Sequence, residues 1–168
     1  ATYVGSRSCV ECHQKEYDQW MGSHHERAMD LATPETVLGD FNDAELTHYG
    51  ITSRMFRRGD KFMIHTEGPD GEMQDFEIKY VLGVEPLQQY LVEVEPGRLQ
   101  SFPFAWDTRP EGEGGQRWFH LQPEEYVGPG DPLHWTGPSY NWNYACADCH
   151  STAVRKNYDR STKSYSTQ

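Results

Sequence analysis

CVECH at residues 9–13 and CADCH at residues 146–150 decide how this chain is read. In each, two cysteines stand three positions apart and a histidine follows directly. Thiols at that spacing on one helical turn reach the two vinyl groups of a single heme, and the next residue is directed under the iron. The pattern predicts one covalent heme c on Cys9 and Cys12 with His13 as proximal ligand, and a second on Cys146 and Cys149 with His150. Paired cysteines also serve other chemistries. They are a zinc site split over two CxxC pairs and two histidines, a redox disulfide and structural disulfides. Two copies with the histidine in the same place, and none of the 4 cysteines left over, favour heme over all three.

Working outward, each iron needs a sixth ligand. Of 8 histidines, those outside the motifs are His24, His25, His48, His65, His120 and His134. His24 and His25 follow the first motif at the end of a predicted helix. His120, in RWFHL, and His134, in PLHWTG, lie where irregular loops can fold over a heme. His65 is mid-strand and His48 at a strand entry. This ranks His25, His134 and His120 above His24, then His48, then His65. The 5 methionines are the alternative, and Met ligation would raise the reduction potential relative to bis-His. Trp20, Trp106, Trp118, Trp135 and Trp142 read as padding for hemes and core rather than as electron relays.

A length of 168 residues fits one domain. A hydrophobic share of 36% is low for a chain that must bury a core, so heme is expected to help fill the interior, and the 13% of aromatic residues suits packing against its plane. The net charge of −11 argues against nucleic acid, whose phosphates want a basic face, and makes an electrostatically docked redox partner basic. No apolar run approaches the roughly 20 residues of a membrane span, and no signal peptide is visible. The start ATYVGS is consistent with a mature terminus left by cleavage.

The pattern divides the single domain, 1–168, into three segments. Residues 1–45 read as a polar, helical first heme-binding segment, with Tyr17, Trp20, Met21, Ala28 and Leu31 spaced for an apolar stripe. Residues 46–108 read as an antiparallel β insertion. ITSRMFRR and KFMIHTE flank Gly59-Asp60 as a hairpin, and GPDGE at 68–72 is a turn. Phe76, Ile78 and Tyr80 alternate onto one face, and residues 88–95 and 99–106 flank Pro96-Gly97 as a second hairpin. Residues 109–168 form the second heme-binding segment. It is irregular to about 145, which in a compact domain points to a site. A short helix from near Asn143 then carries CADCH, and a polar tail follows from Lys156.

Beyond the two motifs, YVGSRSCVECH (3–13), WMGSHHERAM (20–29), TVLGDFND (36–43), FEIKYVLGVEPLQQYLVE (76–93), GGQRWFHLQPEE (114–125), GDPLHWTGPSYNWNYACADCHST (130–152) and RKNYD (155–159) are long and specific. Over nearly the whole chain they resemble multiheme cytochromes with doubled CxxCH motifs, which often carry tetratricopeptide repeats downstream. The resemblance implies export, covalent hemes and histidine as distal ligand. It favours His25 as the second histidine of Ser23-His24-His25, and His120 and His134 also sit in matching motifs. Relatives generally continue into a third CxxCH after an RKNYD-like segment. This chain stops at Gln168, as expected of a short two-heme protein or of a portion of a longer one.

These readings combine into an α+β, heme-centred fold: short helices and long loops around two c-type hemes, interrupted by an antiparallel β insertion. The expected function is a periplasmic or extracellular diheme electron carrier working with redox partner proteins. A homopolymer conducting along stacked hemes is a second expectation. The third is a heme-dependent reductase with an open iron position.

Overall fold

The computed structural model describes residues 4–168; residues 1–3, the first half of the proposed mature terminus ATYVGS, lie outside the described residues. The fold is not the helix-and-loop shell expected around hemes. Strand accounts for 37% and helix for 20%, and the β segment is the body of the protein rather than an insertion.

Seven strands follow one another as an antiparallel meander: β2 (Ala44–His48), β3 (Ile51–Arg58), β4 (Lys61–Glu67), β5 (Met73–Leu82), β6 (Leu87–Glu95), β7 (Arg98–Asp107) and β8 (Arg117–His120). Both expected hairpins are present, with Arg58 opposite Lys61 and Glu95 opposite Arg98. Gly68 N–H donates to the Glu72 carbonyl in the turn between β4 and β5. A short strand, β1 (Met29–Leu31), takes over from β4 along the far half of β5.

The meander curls into a nearly closed, barrel-like sheet. Its interior holds Met55, Ile64, Tyr90, Val92 and Phe102, all at 0% exposure. Two aromatic plugs fill the interior. Phe41 sets its ring edge-on against Phe62, Tyr90 and Trp118, with centroids 5.1, 5.5 and 5.4 Å away. Trp135, from the irregular segment, packs edge-on against Phe76 and Phe102 and donates its indole N–H to the Glu67 carbonyl, 2.9 Å. Two large rings in this interior supply apolar area that the overall composition lacks, so the chain fills this core with its own side chains and without heme.

A second apolar cluster sits on the outer face of β6 and β7. Along β6, Tyr90 and Val92 point inward while Leu91 points outward, the period-two alternation of a strand covered on both sides. Leu91 and Leu99 meet Trp142 and Ala147, which belong to the second CxxCH segment. The expected alternation of Phe76, Ile78 and Tyr80 breaks at the end. The pairing of β5 with β6 slips between Ile78 and Tyr80, so Val81 takes the interior position and Tyr80 turns to the outer cluster. A bulge flips every later side chain to the other face.

The helices are small. α1 (Val10–Trp20) carries the first motif, and neither it nor the 3-10 turn Ser6–Cys9 before it contains a buried residue. The expected apolar stripe therefore has nothing to pack on: Trp20 is 39% and Leu31 63% exposed. The helix stops at Trp20, before Gly22 with its left-handed φ of 73°, and does not continue toward Ala32. α2 (Ala147–His150) is a single turn, preceded by a π turn over Trp142–Cys146. The tail closes as a two-stranded ribbon, β9 (Tyr158–Asp159) with β10 (Ser164–Tyr165). Among the described residues no helix is long and apolar enough to cross a membrane.

Candidate functional site

The second motif is fastened to β7 by buried amides. The Asn143 carboxamide oxygen accepts the Leu99 N–H at 2.8 Å, and its nitrogen donates to the Gly97 carbonyl at 3.1 Å and to Thr167 Oγ1 at 2.8 Å. Asn141 caps the π turn by accepting the Tyr144 N–H at 2.7 Å, and donates to Gln100 Oε1 at 3.1 Å. Gln100 in turn donates to the Trp135 and Gly137 carbonyls at 2.7 and 2.9 Å. Asn141, Asn143 and Gln100 are all buried, so each lost bond would strand a polar group in the core. Sequence reasoning missed all three. The signal was two asparagines flanking Trp142 just before the cysteines, in a stretch otherwise read as loop.

This anchoring sets Cys146 partly buried against the outer cluster, and Cys149 and His150 exposed beyond it. Burial, together with neighbouring Cys149, pushes the Cys146 thiol above its ordinary pKa. His150 opens into a cleft of about 680 Å³, and His25 lines the same cleft. Its other walls include Trp20, Met29, Leu31 and Tyr80. An adjoining cleft of about 560 Å³ shares Met29, Leu31, Tyr80, Ser151 and Thr152 and adds Leu99 and Trp142. The bulge in β5 is what turns Tyr80 toward this groove. The Trp142 indole nitrogen is buried there without a hydrogen-bond partner. Two thiols on one turn, two imidazoles lining one cleft and apolar side chains along it such as Trp20, Met29 and Leu31 are what a heme c requires, so these residues fit the group.

The first motif presents the same chemistry without walls. Cys9, Cys12 and His13 are all exposed, and His13 kinks the helix with φ −128° and ψ 40°. Its imidazole Nδ1 lies 3.9 Å from the Glu16 carboxylate. The thiols stand on one turn, as covalent attachment needs, but the chain around them contributes no buried apolar surface.

His120 and His134 lie elsewhere. With His48, Glu67, Glu125 and Tyr126 they line a small cavity of about 60 Å³ beside Trp135. His134 is 4% exposed, its Nδ1 2.8 Å from Thr136 Oγ1 and its Nε2 3.8 Å from the Glu67 carboxylate. His120 Nδ1 accepts the Gln122 N–H at 3.0 Å, so in the neutral ring Nε2 carries the proton. His65 pairs with Asp75 at 2.7 Å, and His24 is exposed. Of the ranked distal candidates, His25 is the one that lines a described cleft together with a motif histidine.

The competing cysteine chemistries find no support in this geometry. All four cysteines are free thiols. No group of three or more His, Cys, Asp or Glu side chains is placed to hold a metal ion among the described residues, so the two CxxC pairs do not converge on a split zinc site.

Residues 8–53 match the family described as Cytochrome c554 and c-prime. The matched stretch contains the first motif and the His24-His25 segment and ends inside β3, short of the second motif. No curated protein and no solved structure matches the chain. The family match supports a c-type cytochrome, an electron carrier whose heme c is bound covalently.

Proposed function

We propose that the chain is a diheme cytochrome of the multiheme, doubled-CxxCH kind and carries electrons outside the cytoplasm. One heme is held by Cys9, Cys12 and His13, the other by Cys146, Cys149 and His150. The observation that carries the reading is that His25 and His150, the histidine of the second motif, line one cleft. Bound there, heme supplies a reversible one-electron couple.

The rest is the work of the chain. Cys146 and Cys149 would fasten the group at the π turn and α2, with His150 and His25 as its ligands, and Trp20, Met29, Leu31 and Tyr80 would limit water around it. With both imidazoles as ligands a heme there would have no open iron position, which favours a carrier over a reductase. A net charge of −11 suits a basic redox partner protein. Heme c is attached by machinery outside the cytoplasm, which supports a periplasmic or extracellular location.

Mass spectrometry of the denatured protein tests the heme count. The expected mass is the polypeptide plus two hemes, falling by one heme in Cys9→Ala/Cys12→Ala. A bare chain, or a single heme in the unsubstituted protein, overturns the reading.

The uncovered α1 favours a second possibility, a subunit of a heme polymer. With no residue buried on this helix, and Trp20 and Met21 39% and 44% exposed, a heme at the first motif would share an open face with apolar side chains. Light scattering of the holoprotein at physiological salt decides it: mass growing with concentration supports the polymer, and a constant monomer mass removes it.

A further inference from the structure

Against the acidic balance of 26 Asp and Glu to 15 Lys and Arg, one cleft is basic. Arg98, Lys156, Arg160 and Lys163 line it with a single carboxylate, Glu95. Its volume is about 730 Å³, in the range of small-molecule sites. Two of the cations are built into the fold. The Arg98 guanidinium donates to the Thr136 carbonyl at 3.0 Å and stands 3.6 Å from Glu95. The Lys156 ammonium donates to the Tyr144 carbonyl at 3.0 Å and pairs with Asp148 at 2.8 Å. The other two, Arg160 and Lys163, are exposed and pair with no carboxylate among the described residues.

The same cleft is aromatic. Tyr144 and Tyr158 are 67% and 48% exposed, and the Tyr158 and Tyr165 rings stand 4.8 Å apart. Arg160 and Lys163 leave the cleft with positive charge that no carboxylate among the described residues offsets and a bound anion would, and exposed phenol rings offer faces on which a flat ligand stacks. The cleft lies close to the second motif: Tyr144, two residues before Cys146, lines it, and its Lys156 pairs with Asp148, between the two cysteines.

We propose that this cleft binds a small planar aromatic polyanion, a fused ring bearing two or more sulfonate, carboxylate or phosphate charges. A ligand seated there would lie beside Tyr144, two residues before the second motif. Its use in electron exchange rests on the carrier reading; the binding itself does not.

The test is isothermal titration of the oxidised holoprotein with anthraquinone-2,6-disulfonate. One saturable site is expected, weakening as salt is raised. Arg160→Gln/Lys163→Gln should weaken it about tenfold or more, as two charge-assisted contacts are lost. Lys61→Gln, outside the cleft, should leave it unchanged. These tail substitutions are exposed and leave the barrel intact, and binding is read without reference to heme count, so either claim can fail alone. Absence of saturable binding overturns the proposal, including the case in which the protein's own heme propionates fill the cleft. So does equal weakening by Lys61→Gln. Equal competition by sulfate at matched ionic strength overturns the aromatic specificity.

Discussion

The imidazoles of His48 and His120 lie face to face, ring centroids 3.7 Å apart and 7° from parallel. His48 ends β2 and His120 ends β8, the two edge strands of the meander, so the stack joins the seam where the sheet comes nearest to closing. Burial, and the repulsion that a charged His48 would add, hold the His120 pKa down to about 4. Two stacked imidazoliums at this spacing would repel strongly in a half-buried site.

The seam should therefore loosen in mild acid. His120 takes up its proton at about 4 when folded and near the ordinary 6.5 when unfolded. The unfolded chain binds the extra proton between those values, so the contribution is complete above pH 6.5 and is lost as pH falls toward 4. The slope for one proton is about 1.4 kcal/mol per pH unit. His134, Glu67, Glu125 and Tyr126 face the same cavity. Denaturant unfolding from pH 7 to 4 should show the slope, and His120→Phe should flatten it. An unchanged slope in that variant would show that the stack does not govern the acid response.

His25→Met should alter the second heme alone. The cleft shared by His25 and His150 predicts a low-spin bis-His iron in the unsubstituted protein. In the variant the optical and paramagnetic resonance spectra should change for one heme, whose potential rises. His120→Met and His134→Met should leave both spectra as they were, because those residues line another cavity. A spectral change on substituting His120 or His134, with none for His25, would reverse the assignment.

The barrel should fold without heme. Its interior is built from sheet residues and from the plugs Phe41 and Trp135, none of them within a CxxCH motif. A chain with all four cysteines changed to alanine should keep cooperative unfolding and slow amide exchange over β3 to β7. Residues 4–28 should exchange fast, because α1 and the turn before it bury nothing. Adding Trp135→Ala should cost about 3–5 kcal/mol, and adding Trp20→Ala less than about 0.5 kcal/mol. A cysteine-free chain that is unfolded throughout would return heme to the centre of the fold.

Much of this was legible in the chain. Gly59-Asp60 and Pro96-Gly97 marked their hairpins because turn chemistry is local, and CVECH and CADCH marked their cysteines because helical spacing is local too. The size of the sheet was not legible. Phe41 and Trp135 stand 94 positions apart (135 − 41) and join one interior, a relationship no periodicity records. The low hydrophobic share suggested that heme must fill the core, whereas a few large rings placed edge to face supply that area instead.

The sequence by itself determined the chemistry: two thiol pairs with their histidines, the hairpin turns and the acidic balance are properties of residue type and short spacing. Only the tertiary structure brings His25 and His150 to one cleft. His25 lies 125 positions before His150, and the two reach one cleft because β1 follows β5 while Asn141 and Asn143 pin the second motif to β7. His120 and His134, equally good candidates by residue type, are drawn instead to the barrel seam and to Trp135. Choosing among like ligands is a matter of distance in the folded chain, and strand pairing and buried hydrogen bonds set that distance.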